Sequence, residues 1–276
     1  MALTALAVLL MLGSGLLFWW PKYRLQRAVA RPFPRRHAKI LHRNVPVYSR
    51  LPADLQLQLK RLIQQFLLQK KFVGCGGLNI TDEIRVTIAG KACLLLLNRP
   101  TLVYPKLSFV LVYPSAFIAP RTEVSAGGLV TQHDQALLGE SWSDDRVILA
   151  WDHVKRGTSG AAADPGSHAG HDVVLHEFAH QLDSESGSTN GAPYMAGKAR
   201  YARWSAVFLR EFALLQEAVR HQSASVIDHY GASSPAEFFA VTTEAFFENS
   251  HALAQQHPAL FATLREYYCV DPREWH

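Results

Sequence analysis

The sequence predicts an α+β protein, helix-rich with a small sheet, preceded by one N-terminal transmembrane helix. Three observations lead to this prediction. Most apolar residues recur at helical spacing, and only two short runs have the β-branched and aromatic composition typical of strands. The first 20 residues contain no charged side chain and are mostly apolar. No linker or repeat divides residues 45–276, which we therefore predict to be one globular domain.

Residues 2–20 have about the length that spans a bilayer as a helix, and Trp19 and Trp20 lie where an interfacial aromatic belt is expected. Eight basic residues follow between Lys22 and Arg43, and no acidic residue precedes Asp54. This pattern predicts an uncleaved membrane anchor over residues 1–21 and a basic juxtamembrane segment over 22–44. Positive charge on this side places the remaining domain in the cytoplasm. An atypical signal sequence or a membrane-surface helix are the alternatives.

The charge balance argues against direct nucleic-acid binding. The chain has 28 basic and 23 acidic residues and a pI of about 9.2. Without the eight juxtamembrane cations, 20 basic residues remain against 23 acidic ones, so the domain itself is mildly acidic. The basic segment is instead expected to contact anionic lipid head groups. Cys75, Cys93 and Cys269 have no paired spacing, which predicts free thiols and is compatible with a reducing compartment.

Regular elements are predicted along the whole domain. They are a helix over Pro52–Lys71, an interruption at Gly74–Gly77, a helix starting at Thr81, strands over Phe109–Tyr113 and Val147–Trp151 with a polar segment at Gly127–Trp142 between them, loops at Thr158–Gly170 and Ser184–Gly197, and helices over Lys198–Arg220 and Pro258–Tyr268. The second of these loops follows the most informative motif of the chain and is predicted to face a substrate.

That motif is His176-Glu177-Phe178-Ala179-His180. On a helix the two histidines lie about 6 Å apart along the axis on one face, so both imidazoles can reach one metal ion. Glu177 is rotated about 100° from His176, which suits it to deprotonate a bound water rather than to ligate the ion. The apolar residues around the motif predict a buried helix. The alternative is an ordinary helix that carries two histidines.

A peptidase-type zinc site needs a third protein ligand, and the sequence offers two candidates. Asp183 shares the face of His180, but its carboxylate lies beyond an ion held by both histidines, so we expect it to contact a ligand and fix a histidine tautomer. Glu237 is the better candidate. It follows Ser233, Ser234 and Pro235, which are typical of a helix start, although the macrodipole also favours a glutamate in a first turn. Glu244 lies seven residues later on the same face, only about 20° out of register.

Several segments together resemble the Mlc titration factor A family of zinc metallopeptidases, whose catalytic core is similar to the protease domain of anthrax lethal factor. The matching segments are the helix through Phe66-Leu67 to Lys71, Tyr113–Phe117, Gly139–Trp142, His176–Asp183 and Pro235–Ala240. The resemblance implies a zincin-like metallopeptidase domain with one Zn²⁺ per chain. It implies His176, His180 and Glu237 as ligands and Glu177 as the general base. This chain differs from the best-known members of the family in having an apolar N-terminal segment.

The resemblance also implies roles for two further residues. By analogy with the lethal factor core, Tyr230 stabilises the oxyanion, although a tyrosine before a helix is also a common packing residue. Glu244 would orient a ligating histidine, and its alternative is a simple buried carboxylate. The implied activity is hydrolysis of a peptide or protein substrate, with aminopeptidase action on small substrates. The family further implies a different function, in which a membrane-tethered protein sequesters a transcriptional repressor and the zinc site is secondary.

Overall fold

The computed structural model describes residues 19–20, 22–124, 130–137, 139–140, 145–156 and 172–275, with backbone only for those between 117 and 140. The helices are α1 (Arg35–Asn44), α2 (Ala53–Gln69), α3 (Asp82–Leu94), α4 (Trp151–Arg156), α5 (Val173–Asp183), α6 (Lys198–Arg220), α7 (Pro235–Glu248), α8 (Ser250–Gln256) and α9 (Pro258–Tyr268). The strands are β1 (Lys71–Gly74), β2 (Phe109–Tyr113), β3 (Phe117–Val124), β4 (Val130–Leu137), β5 (Gly139–Glu140) and β6 (Arg146–Ala150).

The small sheet has the strand order β1-β2-β6-β5. Strands β1, β2 and β6 are parallel, and the short β5 pairs antiparallel with β6. Strands β3 and β4 form a separate antiparallel hairpin. The helix-rich α+β prediction is confirmed. The hairpin was not predicted, because much of it lies in a polar stretch without the alternation that marks a half-buried strand.

Most predicted boundaries agree with the structure because local capping chemistry sets them. The Thr81 hydroxyl accepts from the Ile84 N–H at the start of α3. Helices α6 and α9 have the predicted bounds. The strand predicted to end at Trp151 ends one residue earlier, since Trp151 begins α4. The predicted loop at residues 158–170 lies outside the described residues.

Helix α5 lies inside the core, between the sheet side and α7. Its Phe178 is fully buried and contacts Phe66 of α2, with ring centroids 5.7 Å apart, and Tyr104, at 4.8 Å. Edge and tilted aromatic contacts of this kind add to the burial of apolar area. Helix α5 packs against α7 on its other side. The motif-bearing helix is therefore fixed by packing on both sides.

The N-terminal prediction is not supported. Residues 22–30 are helical, and α1 packs on α3, where Leu41 is buried and the Asn44 amide donates to Thr87 Oγ1 at 2.9 Å. Most of the predicted anchor, residues 1–18 and 21, lies outside the described residues. Among the residues that are described, we find no helix of the length and apolar character that crossing a bilayer requires. This finding contradicts the predicted membrane localisation through an N-terminal anchor.

Candidate metal centre

The helix that carries the motif is held at its N-terminus by a buried ion pair. Asp172 Oδ1 accepts from the Val174 and Leu175 N–H groups, at 3.0 and 3.4 Å, and so caps α5. Asp172 Oδ2 lies 2.8 Å from Lys91 Nζ, and both side chains are buried. The same ammonium donates to the carbonyl oxygen of Val154 at 2.9 Å. Lys91, itself a residue of α3, therefore fixes the start of α5 to α3 and to α4.

Replacing Lys91 by methionine is expected to destabilise the fold by about 3–5 kcal/mol, because it leaves the Asp172 carboxylate buried without its cation. Chemical denaturation monitored by circular dichroism measures the loss. The double variant Lys91→Met/Asp172→Asn keeps an acceptor for the cap and leaves no buried charge without a partner. We therefore expect it to be more stable than Lys91→Met alone. A double variant no more stable than the single one would contradict this explanation.

Three donor atoms converge at the middle of α5. His176 Nε2 lies 3.2 Å from His180 Nε2, and Glu237 Oε2 lies 3.0 Å from the first nitrogen and 3.5 Å from the second. Glu237 reaches them from the first turn of α7, which Ser234 caps by accepting the Glu237 N–H. Among the described residues, these three are the group of His, Cys, Asp or Glu side chains whose donor atoms come close enough to hold a metal ion.

These separations fit a zinc ion. Donors about 2.0–2.2 Å from a tetrahedral ion lie about 3.3–3.6 Å from one another. The three observed separations lie close to that range. His176 Nε2 carries at most one hydrogen, so it can form a hydrogen bond with only one of its two neighbours. A metal ion, in contrast, can be bound by all three atoms at once. The two nitrogens and one carboxylate oxygen are also a donor set that zinc prefers.

The site is buried but open enough to admit water. The side chains of His176, His180 and Glu237 are 16%, 10% and 20% exposed. A structural zinc site is closed by four protein ligands, whereas a catalytic site keeps one position for water or substrate. Three partly exposed donors match the catalytic arrangement.

The electrostatics of the site favour opposite charges on the histidine and the glutamate. Burial disfavours the His176 imidazolium, but hydrogen bonds to Glu237 and Glu244 outweigh it and raise the pKa of His176 well above its usual value. Burial likewise disfavours the Glu237 carboxylate, but its bonds to His176 and His180 hold the pKa of Glu237 well below its usual range. The centre therefore stabilises an ionised Glu237 carboxylate next to a positive charge.

Glu244 lies on the other side of His176. Its Oε1 is 2.7 Å from His176 Nδ1, and the residue is almost fully buried. The seven-residue spacing on α7 therefore brings Glu237 and Glu244 to opposite nitrogens of the same imidazole. A carboxylate at Nδ1 fixes which nitrogen carries the proton and leaves Nε2 free to act as a donor atom.

Glu177 and Tyr230 lie near the same imidazole. Glu177 is buried, and its negative charge contributes to the raised pKa of His176. The Tyr230 ring lies with its centroid 6.2 Å from that of His176, in the short 3₁₀ helix His229–Ala232 that precedes α7. The structure therefore places the Tyr230 ring beside His176 and the Glu177 carboxylate within electrostatic range of it.

Asp183 contacts the loop after α5. Its Oδ2 accepts from the Gly191 N–H at 2.7 Å, and burial raises the pKa of Asp183 to about 6 although this bond opposes the shift. The Trp204 indole donates to the Gly191 carbonyl at 3.0 Å. Gly191 is left-handed, with φ of 76°, and a Cβ there would lie 2.2 Å from the Pro235 carbonyl oxygen. Asp183 therefore fixes a loop that touches the start of α7, two residues before Glu237.

Gly191→Ala is expected to weaken zinc binding and to destabilise the fold by more than Gly187→Ala does. Gly187 lies in the same loop with φ of 101° but has open space around its Cβ position, so its substitution costs only backbone strain, about 1–2 kcal/mol. Gly191→Ala adds a clash that must displace Pro235. Zinc titration and denaturation of both variants measure the difference, and equal effects would contradict the role of this contact.

Sequence reasoning missed Lys91, Asp172, Gly191 and Trp204. One signal for Lys91 was present, since it is a single cation in the otherwise apolar second half of α3. Asp172 before an apolar helical run is likewise a typical cap. The contacts of Gly191 and Trp204 join segments distant in sequence and have no local signal.

The centre is compatible with a metallopeptidase, and the sequence comparison points to that class of protein. The sequence matches the family described as glucose-regulated metallo-peptidase M90 over residues 18–269, and the chain belongs to this family. It is 38% identical over 274 residues to the uncharacterized protein slr2042 of Synechocystis, covering 98% of each chain. It is 30% identical to Mlc titration factor A of Enterobacter over 233 residues, covering 83% of this chain and 84% of that one. The Klebsiella pneumoniae protein of the same name is similar to the same extent.

Proposed function

We propose that this protein is a zinc-dependent peptidase with His176, His180 and Glu237 as the metal ligands and Glu177 as the general base. The observation that carries the proposal is the convergence of the two Nε2 atoms and Glu237 Oε2 at separations of 3.0–3.5 Å. Membership of a metallopeptidase family supports it. We propose one zinc ion per chain.

The chain's own residues supply the remaining parts of a hydrolytic mechanism. When bound, zinc lowers the pKa of a water molecule and polarises the substrate carbonyl. The Glu177 carboxylate accepts the proton of the attacking water and later passes it to the leaving amine. The Tyr230 hydroxyl donates a hydrogen bond to the developing oxyanion, a contribution typically worth about 3–4 kcal/mol. Glu244 accepts the His176 Nδ1–H and keeps that ring oriented.

Asp183 contributes indirectly in this proposal. Through Gly191 it holds the loop that touches Pro235, and it thereby fixes the position of α7 and of Glu237.

We propose a peptide or protein as the substrate. We further propose that it acts at the N-terminus of small peptides, as the resemblance to the Mlc titration factor A family implies.

The experiment that tests the proposal combines metal analysis with peptide hydrolysis on the full chain. We expect one zinc per chain, cleavage of aminoacyl or longer peptide substrates, loss of cleavage after chelation, and recovery when zinc is added back. Cleavage that persists in chelated, zinc-free protein would overturn the proposal. A protein that does not bind zinc would do the same.

A second function, binding of a transcriptional repressor, is favoured by the name Mlc titration factor A carried by relatives at about 30% identity. Gel filtration of this chain with purified Mlc repressor tests it. If binding is separate from hydrolysis, Glu177→Gln forms the complex as well as the wild type does. Failure of both proteins to bind excludes this partner.

A further inference from the structure

A cavity lies outside the metal centre. It has a volume of about 720 Å³ and is bounded by the segment before β2, the loop after α5, the first half of α6 and the end of α9. None of His176, Glu177, His180, Tyr230 and Glu237 lines it. Its volume lies within the range of about 300–1,000 Å³ that is usual for small-molecule sites.

The walls of this cavity are largely apolar and aromatic. Tyr194 and Met195 come from the loop after α5, Trp204 and Val207 from α6, and Tyr267 from α9. Tyr194 is 65% exposed, and Leu102 at the rim is 67% exposed. Large apolar side chains at the mouth of a cavity are typical of a site that covers a ligand.

The charged residues of the cavity leave an excess of positive charge. Four cations line it, namely Arg99, Lys106, Arg200 and Arg203, against the two carboxylates of Glu185 and Glu266. Arg200 and Arg203 both bond the same oxygen of Glu266, at 2.9 and 3.3 Å. That carboxylate is therefore already compensated, and the lining favours an anion.

Arg99 offers the donor for such an anion. Its Nη2 donates to the Tyr267 hydroxyl at 3.0 Å, and its guanidinium lies 4.3 Å from the centroid of that ring. Its Nη1 is buried and has no hydrogen-bond partner in the part of the chain that the structure describes. A buried donor without an acceptor is unfavourable, and because Arg99 lines the cavity, a rotation of its side chain would let a bound anion supply the acceptor. Glu185 lines the same cavity and interacts electrostatically with Arg99, but the two form no ion pair within 4 Å among the described residues, and Glu185 Oε1 is also buried without a partner there.

We propose that this cavity binds a small organic anion that has an aromatic or aliphatic body and one anionic head. The head is bound by Arg99, and the body packs against Tyr194, Met195 and Trp204. The ligand lies against the loop that Asp183 anchors, because Tyr194 and Met195 of that loop line the cavity and Trp204 donates to its Gly191. The proposal does not depend on the peptidase function.

The test compares two probes that differ only in the charge of the head, 1-naphthaleneacetate and 1-naphthaleneacetamide. Calorimetric titration of the full chain is carried out with chelator present, so that the carboxylate cannot bind to zinc. We expect the acetate to bind about tenfold more tightly or better, as a charge-assisted bond to Arg99 predicts. Equal affinities, or no binding of either probe, would overturn the proposal.

Two matched variants locate the site. Ala206 is exposed on α6 and lines the cavity, whereas Ala213 is exposed two turns later on the same helix and does not. Ala206→Glu brings a like charge to the ligand and is expected to weaken acetate binding about tenfold or more, while Ala213→Glu leaves it unchanged. Arg99→Gln should remove the preference for the acetate, with its folding checked by thermal unfolding because Arg99 also contacts Tyr267. Wild-type binding by Ala206→Glu would place the ligand elsewhere and refute the proposal.

Discussion

Replacing Glu177 by glutamine is expected to lower the rate of peptide hydrolysis by about 10²–10⁴-fold while the protein keeps its zinc. Glutamine has nearly the same shape as glutamate but cannot accept the proton of the attacking water. Because the three proposed ligands are His176, His180 and Glu237, the substitution leaves the donor set intact. Single-turnover hydrolysis and zinc content, measured on the same preparation, test both parts.

Glu217→Gln is the matched control for this change. Glu217 is an exposed residue of α6 that pairs with Arg220, so the same chemical change there should leave hydrolysis within about twofold of wild type. If Glu177→Gln retains nearly full activity with stoichiometric zinc, Glu177 is not the base. If it loses zinc, the residue contributes to metal binding and the assignment of roles must change.

Glu237→Gln is expected to weaken zinc binding by far more than Glu244→Gln. Glu237 Oε2 lies within 3.5 Å of both histidine Nε2 atoms, so its loss removes one of three donors. Glu244 contacts His176 at Nδ1, the nitrogen that faces away from the other two donor atoms, and the loss of such an outer partner typically costs about 10–100-fold in metal affinity. Competition with a chromophoric chelator gives both dissociation constants.

These two variants control for each other, because the same substitution is made twice on one face of α7. Circular dichroism should show that both remain folded, which separates a lost ligand from a lost helix. An equal loss of affinity, or a larger loss for Glu244→Gln, would contradict the assignment of Glu237 as the third ligand.

The local elements of the fold could be predicted well because their signals are local. Helix α2 follows from apolar residues at helical spacing, and the starts of α3 and α7 follow from Thr81 and Ser234 as caps. The hairpin β3–β4 could not be predicted in the same way, since pairing between two strands without a regular apolar–polar alternation depends on the partner strand rather than on either sequence. The prediction of an N-terminal anchor rested on apolar composition alone, and none of the helices among the described residues supports it.

The sequence by itself determined that two histidines and two glutamates can each share a helix face. The spacings His176–His180 and Glu237–Glu244 fix this through the helical repeat, wherever those helices lie. Only the tertiary structure decided that the two faces meet at His176, with Glu237 at Nε2 and Glu244 at Nδ1. It also decided that Lys91 holds the start of α5 and that Gly191 touches Pro235. Such contacts join residues tens of positions apart, and they form only when packing of the core brings their elements together.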